Sequence, residues 1–275
     1  MEHILIIPEK KPYIISSVNR ERIQLAKKRS DAGKQTNILI KGATGTGKSE
    51  MVAQVAADWN RPFCIVPVGG LGRVDLEAGE TVYRPGLFLE AIQTENAVIH
   101  LEEINRPEND KALNAIFGVL DDTSRSIWID ELQELIHVAP GVTFFASLNE
   151  GFEFIGTMPL DVALKNRFAI KMELTILPEY AEAQILAARV DGVDLEAATE
   201  LVKAVNALRD NPVSPVEVST RDMLSIAEFM QYGMDFQSAF LTTVDTSSEV
   251  LEQVLLLKHM AGEETHGLDT TYTLL

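Results

Sequence analysis

The segment GATGTGKS, residues Gly42–Ser49, decides the fold class of this chain. It matches the pattern G-x-x-x-x-G-K-[ST], and it stands between the apolar run NILI at residues 37–40 and the helix-forming run SEMVAQVAADW. A loop of this kind wraps backbone N–H groups around phosphate oxygens and adds the positive end of the following helix. Such a pattern arises by chance in about one chain in a hundred of this length, but the flanking strand and helix argue against chance. We therefore expect a P-loop fold that binds a nucleotide.

The loop also assigns the groups that would hold Mg·ATP. Lys48 is expected to neutralise oxygens of the β- and γ-phosphates, and the hydroxyl of Ser49 is expected to ligate Mg²⁺. The predicted nucleotide-binding residues are Gly42, Ala43, Thr44, Gly45, Thr46, Gly47, Lys48 and Ser49. ATP and Mg²⁺ are therefore the predicted cofactors.

Short apolar runs alternate with helical patterns from residue 37 to residue 174. This alternation is typical of a parallel sheet whose strands are joined by helices. The predicted strands are Asn37–Ile40, Phe63–Val68, Ala97–Leu101, Val142–Ser147 and Ala169–Leu174. The run RSIWIDELQELIHV at residues 125–138 alternates in part, which predicts an inserted β-hairpin. The predicted fold class is therefore α/β, with a five-stranded parallel sheet at its core.

The character of the sequence changes after Leu174. From LPEYAEAQILAARV onward, apolar residues stand at helical spacing with few strand signals. Proline restricts the residue before it and fits the first turn of a helix, so Pro178 marks the joint. We predict an α/β nucleotide-binding domain over residues 1–176 and a helical domain over residues 177–275, with a polar, loose tail after Gly262.

Two adjacent carboxylates follow an apolar strand. Residues 97–103 read AVIHLEE, and ligands of open α/β sheets bind where such strands end. Hydrolysis needs one carboxylate for Mg²⁺ and one to polarise the attacking water, so we assign Glu102 to the metal and Glu103 to the water. The alternative is a solvated pair that caps the following turn. His100 in the same strand is predicted to be a core histidine rather than a ligand.

Composition restricts the partners. The chain carries 41 acidic and 24 basic residues and a net charge of −17, which disfavours binding to nucleic acid and to anionic membranes. A local basic run, Lys27, Lys28, Arg29 and Lys34, is interpreted as a solvated helix face. The single cysteine, Cys64, excludes an intrachain disulfide and a cysteine-based zinc site. A single cysteine suits a reducing compartment, so the cytoplasm is the predicted location. With no apolar run of about 18 residues, neither secretion nor a membrane span is predicted.

Three further polar residues carry little weight when taken alone. Asn149 follows the apolar strand VTFFAS and would bring an amide to the γ-phosphate, although Asn-Glu-Gly is also an ordinary turn sequence. Arg167 in LKNRF and Arg221 in STRDML are indistinguishable from ordinary surface arginines. The residues themselves leave both interpretations open.

The order of the motifs is more informative than any one of them. GATGTGKS is followed by YRPGLFLEAI, AVIHLEEINRP, FFASLNEG, PLDVALKNRF and STRDML. This succession, which runs from residue 37 to residue 232, resembles the AAA+ ATPases of the MoxR-like and dynein-related (AAA_5) group. The segments INRP and LKNRF are more specific to that group than the phosphate loop is.

The resemblance implies a role for each motif residue. It implies Walker A at Gly42–Ser49, Walker B ending at Glu102 and Glu103, the first sensor at Asn149, the arginine finger at Arg167 and the second sensor at Arg221. With Lys48, these positions make up the predicted catalytic set. The resemblance also implies a helical lid, hexameric rings that hold ATP between subunits, and a chaperone-like motor. Members often activate metal-containing enzymes beside a partner with a von Willebrand factor A domain.

One position departs from the group, which usually has aspartate where this chain has Glu102. Glutamate reaches about one methylene further, so we expect slower hydrolysis while the phosphate loop still binds the nucleotide. The segment GGLGRVDLEAGE at residues 69–80 corresponds to a region that faces the ring pore or inserts near the second helix in such proteins. A glycine-rich surface loop is the other interpretation.

Three functions stay open at the level of sequence. The first is an ATP-driven motor that remodels or activates a protein client. The second is a nucleotide-gated scaffold with weak hydrolysis, which Glu102 suggests. The third is a nucleic-acid translocase or loader, which the acidic composition disfavours. The client itself is not encoded in any recognisable motif.

Overall fold

A computed structural model describes residues 5–67, 72–77, 80–105, 116–130, 132–148, 160–210, 216–247 and 272–274. By its contacts the chain divides into two compact units. The first comprises Met1–Lys10, Val18–Ala43 and Lys48–Leu174, and the second comprises Lys11–Ser17, Thr44–Gly47 and Thr175–Leu275. The predicted domain limits, 1–176 and 177–275, stay a prediction, and two short segments before residue 50 group with the second unit.

The strands and helices follow in chain order. The strands are β1 (Ile14–Ser16), β2 (Thr36–Lys41), β3 (Phe63–Pro67), β4 (Gly72–Glu77), β5 (Glu80–Pro85), β6 (Val98–Glu102), β7 (Ser126–Ile129), β8 (Glu134–His137), β9 (Thr143–Leu148), β10 (Ile170–Glu173) and β11 (Tyr272–Leu274). The helices are α1 (Ser17–Asp31), α2 (Lys48–Trp59), α3 (Leu87–Gln93), α4 (Val162–Asn166), α5 (Glu179–Arg189), α6 (Leu195–Arg209), α7 (Thr220–Gln231) and α8 (Phe236–Thr243).

A five-stranded parallel sheet in the order β10-β2-β9-β6-β3 forms the centre of the first unit. Its middle strands are buried on both faces, which explains why β2 and β9 read as continuous apolar runs rather than as alternating ones. Leu39, Ile99 and Phe144 are fully buried in the core of this unit. All five predicted strands are present, and the predicted α/β fold class is confirmed.

The register of the sheet determines where the motifs lie. Lys41, the residue before the phosphate loop, is paired with Leu148, and Leu101 is paired with Ala146 in the same strand β9. Parallel strands end at one edge of a sheet, so the phosphate loop after β2 and the carboxylates after β6 lie at the same edge, on either side of the end of β9. This edge is where open α/β sheets bind ligands.

Two β-hairpins are inserted in the chain between strands of the sheet. Strands β7 and β8 pair antiparallel, as predicted for residues 125–138, and bury Ile127 and Ile136 on one face while Trp128 and Leu135 stand exposed. Strands β4 and β5 also pair antiparallel, from Gly72 opposite Pro85 to Glu77 opposite Glu80. Neither sequence interpretation of residues 69–80 included strands, whereas the described part of this segment pairs as a β-ladder. The pore-facing role of this segment stays a prediction.

Helices α5 to α8 build the second unit, as the helical spacing after Leu174 predicts. Leu186, Val202, Ile226 and Phe240, one from each helix, are fully buried in its core. The loose tail was an incorrect expectation at residues 272–274, because these residues form β11 and pair antiparallel with β1. The rest of the tail lies outside the described residues. Within the described part of the chain, none of the helices is both long and apolar enough to span a membrane.

Candidate nucleotide-binding site

The phosphate loop depends on two glycines in the left-handed region of backbone space. Gly45 has φ +78° and Gly47 has φ +79°, a conformation that costs other residues energy. Helix α2 begins directly after them at Lys48. Alternation of right- and left-handed residues before a helix turns successive N–H groups into an anion-binding concavity. The backbone therefore has the conformation that the sequence pattern predicts.

The Lys48 side chain is hydrogen-bonded to the backbone at the start of the phosphate loop. Its Nζ donates hydrogen bonds to the carbonyl oxygens of Gly42 at 2.8 Å and Ala43 at 2.7 Å. Burial lowers the pKa of the Lys48 ammonium to about 8, and the negative charges of Glu103 and Glu102 act in the opposite direction. Burial disfavours the charged form of this lysine, and the negative charge of a bound phosphate would stabilise the ammonium form again.

Ser49 and Glu102 are in direct contact. The Ser49 hydroxyl donates to Oε1 of Glu102 at 2.5 Å, so the start of α2 and the end of β6 are joined at their side chains. Both groups offer hard oxygen atoms, which Mg²⁺ prefers. Among the described residues, no group of three or more His, Cys, Asp or Glu side chains is placed to hold a metal ion. Mg²⁺ usually takes one or two protein ligands and keeps water and phosphate in the rest of its shell, which two oxygen-bearing side chains fit.

Glu103 has an unusual backbone conformation. Its φ is +50°, in the left-handed region that residues with a side chain seldom adopt. The turn occurs immediately after β6 ends at Glu102. Of the two carboxylates, Glu103 raises the pKa of Lys48 more than Glu102 does. Strained non-glycine residues of this kind occur often at functional sites.

His100 is a core residue of β6. It is fully buried, and its Nε2 lies 2.9 Å from the Ser147 hydroxyl of β9. Burial, and then the nearby charge of Lys48, lower the pKa of His100 to about 4, so the ring is neutral at physiological pH. This agrees with its predicted place in the core.

Arg167 is held within the first unit. Its Nη2 lies 3.2 Å from Oδ2 of Asp121, its Nη1 donates to the Ala163 carbonyl at 3.0 Å, and its guanidinium stands 4.8 Å from the centre of the Phe117 ring. None of these partners belongs to the phosphate loop. These contacts hold the guanidinium beside α4.

Two neighbours of the phosphate loop were missed by sequence reasoning. Within the second unit, the Tyr13 hydroxyl donates to the Gly47 carbonyl at 3.2 Å, and Ser219 lies against Gly45. Ser219 is the N-cap of α7, the helix that carries the exposed Arg221 in its first turn. The S-x-x-D spacing of STRD indicates a capping box and would have placed the helix start. No sequence signal pointed to Tyr13.

Two families match the chain in succession. Residues 37–168 match an AAA domain of the dynein-related subfamily, and residues 182–250 match the CbbQ/NirQ/NorQ C-terminal region. The protein called "Putative chaperone BssE" from Thauera aromatica is 42% identical over 277 residues, which cover 98% of this chain and 95% of that protein. The chain belongs to the MoxR-like AAA+ ATPases.

Further comparisons agree with this membership. Protein NorQ of Paracoccus denitrificans is 32% identical over 211 residues, which cover 74% of this chain and 76% of NorQ. The RuvB Holliday junction branch migration motor of Thermotoga maritima superposes with a TM-score of 0.53 at 15% identity, over 88% of this chain and 70% of RuvB. At that identity RuvB shows the fold alone.

Membership in the MoxR-like group makes this chain a P-loop NTPase by family and leaves the individual roles to be tested. Asn149, the predicted first sensor, lies outside the described residues. It follows Leu148, which ends β9 opposite Lys41 at the entrance to the phosphate loop. The roles of Asn149, Arg167 and Arg221 stay predictions.

Proposed function

We propose that this chain binds Mg·ATP at Gly42–Ser49 and hydrolyses it to remodel or activate a protein client. One observation carries the proposal: the Ser49 hydroxyl lies 2.5 Å from Glu102, beside a Lys48 ammonium whose pKa responds to Glu103. A cation, a hydroxyl and two carboxylates beside a glycine loop are the groups that phosphoryl transfer to water uses.

Ser49 and Glu102 are the proposed holders of Mg²⁺. A hydroxyl oxygen keeps lone pairs when it donates its hydrogen, so Ser49 can ligate a cation and still hydrogen-bond to Glu102. The ion, when bound, would supply positive charge that offsets the charge developing on the phosphate oxygens. Lys48 adds a second positive charge to the same oxygens.

Glu103 is the proposed base for the attacking water. The water oxygen bonds to the γ-phosphorus, the bond from that phosphorus to the bridging oxygen breaks, and the water proton passes to the Glu103 carboxylate. Glu103 acts on the charge of Lys48 more strongly than Glu102 does, which supports its place in the same site. Asn149 and Arg221 are proposed as the two sensors of the γ-phosphate.

Arg167 is proposed to act on ATP that is bound by a neighbouring subunit of a hexameric ring. Support comes from its partners, which hold the guanidinium beside α4 and outside its own phosphate loop. An arginine finger stabilises the charge of the transition state and is worth about 10³–10⁵ in rate.

The proposed client is a protein, with a von Willebrand factor A-domain protein as the expected companion. Support comes from the relative whose name describes a chaperone and from the net charge of −17, which disfavours nucleic acid. A second candidate function is a nucleotide-gated scaffold with weak hydrolysis. It is favoured by the direct contact of Glu102 with Ser49, which the metal would have to share.

Steady-state phosphate release by the full chain, with and without Mg²⁺, tests the proposal. Wild type is expected to turn over only with Mg²⁺, and Glu103→Gln is expected to bind ATP as before while losing about a hundredfold or more in rate. Glu134→Gln, an exposed carboxylate on β8, is the control for lost charge. Tight ATP binding without turnover in the wild type would favour the scaffold, and absence of ATP binding would remove both candidates.

A further inference from the structure

The tip of the phosphate loop is packed against the start of α7. Residues 44–47 and α7 belong to the same unit, so their contact is internal to it. A β-carbon built on Gly45 would lie 2.3 Å from Cβ of Ser219 and 3.1 Å from its Oγ. Backbone of the loop therefore touches the Ser219 side chain directly, and glycine is required at residue 45 for space as well as for its positive φ.

Ser219 is held in place by a complete capping box. The Asp222 N–H donates to Ser219 Oγ at 3.2 Å, and the Ser219 N–H donates to Oδ2 of Asp222 at 2.8 Å. The Ser219 hydroxyl also lies 2.7 Å from the same carboxylate oxygen. These reciprocal bonds fix both the backbone and the side chain of the residue that meets Gly45.

The residues on either side of Ser219 are anchored by a buried ion pair. Arg209 Nε donates to the Val218 carbonyl at 2.8 Å, and the Thr220 hydroxyl donates to Oε1 of Glu182 at 2.7 Å. Arg209 and Glu182 meet through two bonds of 2.7 and 3.2 Å. Side chains of α5 and α6 thus hold the two residues that flank Ser219, at the start of α7.

Burial of this ion pair is itself informative. The Glu182 side chain is 0% exposed and that of Arg209 is 9% exposed. A buried pair adds little net stability compared with apolar residues of similar size, because both charges lose their hydration. Its best attested use is to specify one register among alternatives. In this protein the alternatives would be different positions of residues 218–220, to which the ion pair is bonded.

We propose that Ser219 is a positioning residue for the phosphate loop, held in place by Glu182 and Arg209. Its β-carbon supports Gly45, so the loop keeps the conformation that receives the phosphates before the nucleotide arrives. The inference rests on the proposed function, because it assumes that the loop binds ATP. Without this support, residues around Gly45 would have to be ordered on binding. Ordering the backbone of one residue on binding lowers affinity by about five- to thirtyfold.

Two substitutions of Ser219 separate positioning from stability. Ser219→Ala keeps the β-carbon and loses the cap, whereas Ser219→Gly loses both. Glycine is nevertheless the better N-cap of the two, and alanine is a poor one. The proposal therefore predicts that the two variants rank differently in stability and in affinity. Ser219→Gly has the higher Tm without nucleotide, and Ser219→Ala has the higher affinity for ATP.

The measurements are the Tm of the nucleotide-free full chain and the Kd for ATP in the presence of Mg²⁺ by calorimetry. Ser219→Gly is expected to bind ATP about five- to thirtyfold more weakly than wild type, and Ser219→Ala about as tightly as wild type. Equal affinities for the two variants, or affinities that follow the Tm order, overturn the proposal. Failure of wild type to bind ATP would instead contradict the proposed function.

A second pair of variants covers the case in which a Ser219 variant does not fold. Thr220→Val keeps the shape of the side chain and removes its hydrogen bond to Glu182, and Thr220→Ser keeps that bond. We expect Thr220→Val to weaken ATP binding several-fold relative to Thr220→Ser. Equal ATP affinities of the two Thr220 variants would show that the bond to the Glu182–Arg209 ion pair does not position the loop, and would overturn the proposal.

Discussion

The hydroxyl of Ser49 and the carboxylate of Glu102 stand 2.5 Å apart, although 53 positions separate the two residues in the chain. The contact joins the first residues of α2 to the last residue of β6, so the two nucleotide motifs touch. An aspartate at this position would be about one methylene shorter and would leave room for water beside Ser49. Glutamate thus occupies space that an aspartate would leave open.

Replacing Glu102 by aspartate tests this relationship. We predict that Glu102→Asp raises the steady-state ATPase rate at saturating Mg²⁺, because the shorter side chain leaves the metal more room beside Ser49. Glu102→Gln, which has the same length without the charge, is expected to raise the Mg²⁺ concentration needed for half-maximal rate. A lower rate in Glu102→Asp would show instead that this site is adapted to glutamate.

Removal of the Lys48 ammonium is predicted to lower ATP affinity by about a hundredfold or more, since it is the side-chain cation set against the phosphates. Calorimetric titration of Lys48→Ala with Mg·ATP measures the loss. Lys27→Ala is the matched control, because Lys27 lies on α1 in an exposed ion pair with Asp31. Unchanged affinity in Lys48→Ala would remove Lys48 from the nucleotide site.

The lowered pKa of Lys48 predicts a pH dependence of binding. In the free protein this pKa is about 8, and bound phosphate raises it again because negative charge favours the ammonium form. Below a pH of about 8 the cation is already present, and affinity is at its full value. As the pH rises above about 8, each binding event takes up a proton and ATP affinity falls by up to tenfold per pH unit.

Calorimetry in two buffers with different ionisation enthalpies measures this proton uptake. The uptake is expected in the wild type and is expected to be absent in Lys48→Ala. A constant affinity of the wild type from about pH 7 to about pH 10 would contradict the assignment.

Local signals were sufficient to predict the sheet and the position of the phosphate loop after β2. The apolar runs around Ile38 and Phe144 identified buried strands, because a strand covered on both faces has no polar alternation to obscure it. The pair Glu102 and Glu103 was placed by its position after such a strand. Parallel pairing then places the phosphate loop and these carboxylates at the same edge of the sheet, a rule that sequence reasoning can apply.

Contacts between distant segments were not predictable in this way. Gly45 and Ser219 stand 174 positions apart, and nothing in either segment specifies the other. The same holds for β11, whose pairing with β1 depends on tertiary proximity and not on a strong local strand pattern. The tether of Arg167 to Asp121 was likewise hidden, because surface ion pairs leave no periodic signal.

Mixing two inactive variants is the most direct test of the central claim, that this chain hydrolyses ATP at a site completed by Arg167 of a neighbouring subunit. Arg167→Ala is expected to bind ATP normally and to hydrolyse very little, and Lys48→Ala keeps Arg167 but lacks a working pocket. Mixed oligomers, verified by native mass spectrometry, are predicted to recover ATPase activity, because each pocket from the first variant can receive the arginine of the second. If such mixed oligomers form and no activity returns, the shared site is contradicted.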